Sequence, residues 1–208
     1  LARVHRAPSA AATALLHEGT GFDRLRSTLV DDSQRITWIG PSQPDDQKRR
    51  VFAGIYLLEP EAYERLQPEP SSVIAGAFHP LMKEGRPVVG LVDEFLWRDL
   101  GTWQAYGGFC REVLYSPADT PLRQQIARLS PGEFVAAGNI SKTHSGPTYI
   151  GPQVTLDPAA RIGPGAVLQR AVEVGPHKLQ DCVVLPATQV AASCEGVVVG
   201  PQLEVPLS

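Results

Sequence analysis

Residues 150–179 read IGPQVT, LDPAAR, IGPGAV, LQRAVE and VGPHKL. An aliphatic residue recurs at every sixth position: Ile150, Leu156, Ile162, Leu168 and Val174. A small or apolar residue follows four positions later at Val154, Ala160, Ala166 and Val172. Proline occupies the third position at Pro152, Pro158, Pro164 and Pro176. After a break the pattern resumes with VLPATQ from Val184, VAASCE from Val190 and VGPQLE from Val199. This period predicts a short strand followed by a corner. The aliphatic residue points inward, and the Gly-Pro or Asp-Pro pair cannot continue a ladder. Stacked corners build a solenoid in which each coil covers its neighbours. A Gly/Pro-rich β-sandwich tail is the alternative, but a sandwich has no need of a six-residue period.

The repeat resembles the hexapeptide sequences of left-handed parallel β-helices, in which three hexads complete a triangular coil. That resemblance assigns residues 146–208 to a left-handed β-helix. It also accounts for part of the surplus of 19 Gly and 19 Pro in 208 residues. A formal net charge of −3 without a basic stripe argues against nucleic acid as a partner. No apolar run reaches the ~20 residues needed to span a bilayer, so no membrane partner is expected. Cys110, Cys182 and Cys194 are odd in number and form no CxxC pair, which predicts reduced thiols and a cytoplasmic protein.

Residues 1–115 have a different texture. AATALLHE (11–18), RLRSTLVDD (24–32), RITWI (35–39), VFAGIYLLE (51–59), PVVGLVD (87–93) and EFLW (94–97) read as strands. LARVHRA (1–7), PEAYERLQ (60–67), SSVIAGAFHPLMKEG (71–85) and 103–114 read as helices. Ser71 or Ser72 is the expected cap of the third of these, and Gly85 its stop. Strands mixed with helices predict an α/β layer. Residues 116–145 read as a connector with one helix over Pro121–Leu129. The expected organisation is a partial catalytic domain (1–115), a connector (116–145) and the β-helix (146–208).

The first part resembles the C-terminal half of the sugar-phosphate nucleotidyltransferases. Its motifs are Gly54-Ile55-Tyr56 on a strand, Pro80 to Gly85 closing a helix, and Trp97-Arg98-Asp99-Leu100-Gly101-Thr102. Several members of that family append a hexapeptide β-helix. The resemblance implies the latter part of a Rossmann-like nucleotidyltransferase domain. It also implies formation of an NDP-sugar and pyrophosphate from a nucleoside triphosphate and a sugar 1-phosphate. Such transfer relies on positioning and charge neutralisation, with a hard divalent cation held by carboxylate oxygens. Asp99 matches the family's metal ligand, which implies Mg2+. An Asp that only shapes the turn is the plainer reading. Gly54 matches a strand glycine beneath the sugar, where close strand packing is the plainer reading. Trp97 is expected to pack under the site or wall the sugar, and Thr102 to cap the next helix.

The departures bear on activity. The family's glycine-rich phosphate loop has no counterpart, and HEGTGFDR (17–24) lacks the apolar strand that should precede it. A second metal-binding Asp is expected just upstream of Leu1. The family's E-K-P element falls on Gly40-Pro41-Ser42-Gln43-Pro44, without its Glu and Lys. Lys48 or Arg49 could substitute for that Lys. These departures predict an N-terminally truncated fragment, inactive by itself, with no catalytic residue assigned. The alternative is a catalytically degenerate regulatory or sugar-nucleotide-binding relative. A hexapeptide acyltransferase using His177 or His144 is a third reading, weakened by the few repeats. His5, His17 and His79 are expected in packing or surface roles. Homo-oligomers through the β-helix are expected. Mannose 1-phosphate with GTP, or glucose 1-phosphate with dTTP or UTP, lead among the substrates that the resemblance implies.

Overall fold

The computed structural model describes residues 1–6, 10–18, 27–41, 50–129, 132–135 and 143–207. The expectations placed on the glycine cluster beyond Glu18, on Ser42–Pro44 and on Lys48 and Arg49 lie outside the described residues. The chain forms two compact units, Leu1–Trp97 and Arg98–Ser208. It is a mixed α/β structure with several parallel sheets. Among the described residues, no helix is long and apolar enough to cross a membrane.

The first unit is a five-stranded sheet built from β1 (Ala12–Glu18), β2 (Ser27–Val30), β3 (Ile36–Gly40), β4 (Arg50–Leu58) and β5 (Val88–Asp93). The strand order is β3-β2-β4-β1-β5, and only β1 and β5 run parallel. Leu16, Ile36, Ile39 and Val88 are buried with Ala77, Phe78 and Leu81 from the helical segment that follows β4. At ~25 cal/mol per Å2 of apolar surface, burying one such large side chain stabilises the fold by roughly 1.5–3 kcal/mol. A short helix, α1 (Ala2–Arg6), is tied in through His5, whose Nδ1 lies 2.9 Å from Thr13 Oγ1 and whose Nε2 lies 3.0 Å from Glu59 Oε1.

Three local expectations need correction. The helix expected over 60–67 is only α2 (Pro60–Tyr63), which closes with the Glu64 N–H on the Pro60 carbonyl. The helix expected over 71–85 is a wide π-type turn (Ile74–Phe78) leading into α3 (His79–Lys83). Pro80 has no N–H to give, and the His79 N–H reaches back five residues to the Ile74 carbonyl. Ser72 serves through its backbone, accepting the Gly76 N–H at 2.8 Å, and no side-chain cap bond is made at Val73. The stop at Gly85 is as expected, with Gly85 N–H bonded to the Met82 carbonyl and Arg86 N–H to that of Leu81. The third correction is EFLW, which is not a strand. Strand β5 ends at Asp93, where its register with β1 closes at His17–Asp93, and among the described residues 94–97 pair with no strand.

The second unit opens with α4 (Trp103–Tyr115) and α5 (Pro121–Leu129), then β6 (Glu133–Val135) pairs antiparallel with β7 (Thr148–Ile150). The sequence reading put the first of these helices with residues 1–115; by compactness it belongs here. Its Leu114 is buried with Tyr149, Val167, Val183 and Val198 on the outer side of the sheet that contains β7.

From Thr148 the chain winds through three parallel sheets in rotation. The first face stacks β7, β10 (Val167–Leu168), β13 (Val183–Val184) and β16 (Val197–Gly200). The second stacks β8 (Thr155–Leu156), β11 (Glu173–Val174) and β14 (Gln189–Val190). The third stacks β9 (Arg161–Ile162), β12 (Lys178–Gln180) and β15 (Cys194–Glu195). An antiparallel strand, β17 (Leu203–Pro206), pairs with β16. The hexad residues are the ones that stack: Ile150 on Leu168 on Val184 on Val199, and Leu156 on Val174 on Val190.

The break in the repeat marks a shortened coil. Ile162 pairs with Leu179 and Leu179 with Cys194, so spacings of 17 and 15 replace 18. Cys194 thereby takes an aliphatic position, packed among Val184, Val190 and Cys182.

Candidate functional site

Gly54 and Trp97 were picked from motifs 43 positions apart, and the fold brings them to one stretch of backbone. Register between β1 and β4 slips between Ala14–Tyr56 and Leu16–Phe52. The extra residues on β4 fall within Ala53, Gly54 and Ile55, which form a bulge in the middle of the strand, with Gly54 and Ile55 exposed. A bulge takes carbonyls out of the ladder and leaves them needing partners. The Trp97 indole N–H donates to the Ala53 carbonyl at 3.2 Å. Gly54 adopts φ +81°, a left-handed conformation that a side chain resists. Among the described residues nothing lies within 4 Å of the place a Cβ would occupy. Close packing is therefore not the reason for glycine here. The bulge geometry is.

His17, expected in a packing or surface role, and Phe95 of the expected EFLW strand join this patch. Centroid distances from the His17 ring are 5.1 Å to Phe95 and 5.9 Å to Trp97. Phe52 packs against Phe78 and Tyr56. Ile55 is 54% exposed beside Gly54. The result is a half-buried aromatic wall next to open backbone, suited to a ring with one apolar face. The Phe-x-Trp alternation at 95–97 was the available sequence signal. The pairing of His17 with Asp93 was needed to place the histidine beside it.

Asp99 belongs to the second unit. Its Oδ1 accepts the Gly101 N–H at 2.9 Å, and Thr102 Oγ1 accepts the Ala105 N–H at 3.1 Å as the cap of α4. Arg98 grips Glu112 through two N–H bonds of 3.1 and 2.6 Å. That pair holds the Arg98 guanidinium above its ordinary value, the hydrogen bond to Glu112 being the main cause. Asp99 thus shapes a turn fixed to α4 at both ends. Its carboxylate is exposed, and one oxygen is already engaged. Among the described residues no group of three or more His, Cys, Asp or Glu could hold a metal ion. Asp99 by itself does not make a Mg2+ site.

The remaining candidates are dispersed. His79 Nε2 lies 2.8 Å from the Ile39 carbonyl and fastens α3 to the sheet. His177 is half-buried on the second face of the coil with Asp157 and Glu173 nearby. The three cysteines are free thiols, with Cys182 buried. Cys182 is held well above the ordinary thiol range by its contact with Cys194 and by burial. The same contact lowers Cys194, which makes Cys182 the donor of the pair. No family model and no curated protein matches this chain.

Proposed function

We propose that this chain is the sugar-phosphate-binding, C-terminal portion of a sugar-1-phosphate nucleotidyltransferase. Its first unit is read as the latter part of a Rossmann-like catalytic domain. Its coil is read as a left-handed hexapeptide β-helix through which copies associate. The observation that supports this most is the bulge, where Trp97 of the W-x-D-L-G-T motif binds the backbone beside Gly54 of the G-I-Y motif. A local motif match by chance would give no reason for the two to converge. In this reading the ring patch receives the sugar of a sugar 1-phosphate, and Trp97 holds the bulge open for it. Asp99 would contribute one carboxylate to Mg2+ only together with substrate oxygens and groups beyond the described set. The identity of the nucleotide and sugar follows the resemblance alone, with mannose 1-phosphate and GTP, or glucose 1-phosphate and dTTP or UTP, first to be tried.

A regulatory or sugar-nucleotide-binding relative is the second reading. It is favoured by Gly40-Pro41-Ser42-Gln43-Pro44 standing where the family carries Glu and Lys. Both readings predict binding, and they differ over turnover. Calorimetric titration of the 208-residue chain with mannose 1-phosphate and glucose 1-phosphate should show saturable binding of at least one. Trp97→Ala should weaken that binding at least tenfold. Pyrophosphate release from GTP, dTTP or UTP should be undetectable with this chain. Absence of binding by either sugar phosphate overturns the proposal. Release of pyrophosphate would refute the degenerate reading and the expected inactivity together.

A further inference from the structure

The second unit contains a cavity of about 520 Å3 that the reading above does not use. Its walls are α4, α5, the β6–β7 pair and the outer side of the first coil face. Four aromatic side chains, Tyr106, Phe109, Phe134 and Tyr149, line it. Helix α5 contributes Ile126 and Leu129, yet none of its described residues is buried and Leu129 is 72% exposed. The described residues therefore leave the apolar stripe of this helix uncovered, facing a hollow of small-molecule size.

The polar groups around the cavity are few and of one kind. The Gln169 amide is hydrogen-bonded to the Tyr106 hydroxyl, so these two satisfy each other. Among the described residues, Arg170 is the only charged one lining the cavity, and none of those lining it is a carboxylate. Among the described residues, no acid forms an ion pair with Arg170. The Arg170 carbonyl accepts the Ala187 N–H at 2.9 Å, which fixes its backbone at a coil corner whatever its side chain does. Nearby, the Arg123 guanidinium stands 3.3 Å over the Phe134 ring and donates to the Val113 and Leu114 carbonyls. A second cation is thus placed behind the aromatic wall.

From this arrangement we infer that the cavity is a binding site for a small amphipathic organic anion. The hydrocarbon body would lie among the aromatic rings and α5, and a carboxylate or phosphate head would meet Arg170. An apolar body covers Ile126 and Leu129, and the head meets a guanidinium that has no acid of its own. A neutral ligand would leave that charge unused. A sugar phosphate would bring hydroxyls to a wall that offers them few partners. This site is independent of the ring patch in the first unit.

The test uses the whole chain and decanoate below its micellar range, with 1-decanol as the uncharged partner. Decanoate should bind saturably at one site per chain and raise the unfolding temperature. It should also protect Cys110, which lines the cavity, from alkylation as read by site-resolved mass spectrometry. Arg170→Glu should weaken decanoate roughly tenfold or more and leave 1-decanol binding unchanged, because only the charge-assisted contact is lost. Arg170→Gln serves if the charge reversal disturbs folding, and it should weaken decanoate in the same direction. Decyl phosphate in place of decanoate distinguishes a phosphate head from a carboxylate, and tighter binding of either supports the site. Unsaturable binding, equal affinity in the Arg170 variants, or saturation without protection of Cys110 would overturn the inference.

Discussion

At Gly54 two requirements meet in one residue. The backbone sits at φ +81°, and the carbonyl before it is the acceptor for Trp97. An alanine would have room for its methyl group but not for the dihedral, which costs roughly 1–2 kcal/mol, partly offset by lower entropy in the unfolded chain. Gly54→Ala should therefore lower stability by about 1 kcal/mol in urea unfolding. Trp97→Phe keeps the ring but removes the indole N–H, and should lower stability by ~1 kcal/mol through the unpaired Ala53 carbonyl. If Gly54→Ala proves neutral, the bulge is not held as described. The motif could be read from residues, but its purpose could not. Glycine at a strand position admits close packing or a special dihedral, and only the empty space around Gly54 separates them.

Elements repeat the same lesson with better odds for the sequence. The stacking of Ile150 on Leu168 and of Leu156 on Val174 follows from a period of six, because an inward aliphatic residue at each strand is the only way a two-residue strand can bury anything. The corners carry their own strain. Gly165 lies at φ +79°, and a Cβ there would stand 2.1 Å from Asp181 Oδ1 and 3.0 Å from its Cα. At equivalent turns, Ala171 and Ala187 hold φ +58° and +55° despite their methyl groups. Gly165→Ala should thus destabilise the second unit by about 1–3 kcal/mol. Ala187→Gly should be neutral or stabilise by up to ~1 kcal/mol, read as the shift in unfolding temperature. The opposite order would mean that the corners are not strained.

The shortened coil at Leu179–Cys194 was legible only as a gap in the pattern. The spacing from Leu179 to Cys194 is three residues short of 18, which moves the next inward position, and a cysteine gives no aliphatic signal to mark where it lands. EFLW failed for a related reason. Its residues favour strands, but a strand needs a partner, and among the described residues 94–97 have none.

For the whole molecule, pH offers a reading of how α4 is packed in the second unit. Burial pushes the Tyr106 hydroxyl from its ordinary 10.0 up to about 12, with the neighbouring Cys110 adding to the rise. Burial likewise pushes the Cys110 thiol from 9.0 up to about 11. Both groups hold their protons more tightly when folded than when unfolded. Their contribution to stability is complete below pH ~9 and is lost as pH rises through ~9–12. The unfolding temperature of the chain should fall across that window. Tyr106→Phe should flatten its upper part, and Cys110→Ser should flatten its lower part. A flat profile over pH 9–12 would show that these groups are exposed.

The sequence by itself determined the repeat, the inward residues of its regular hexads, the cap at Thr102, the stop at Gly85 and the five paired strands of the first unit. Each of these depends on residues near in the chain, through side-chain periodicity or a turn of fixed dihedral. Tertiary structure decided the rest: which backbone Trp97 binds, that His17 and Phe95 stand beside it, and that α4 and α5 enclose a hollow against the coil. Those depend on strand register and on which faces meet. Both are set by packing between residues far apart in sequence, where no local period carries the information.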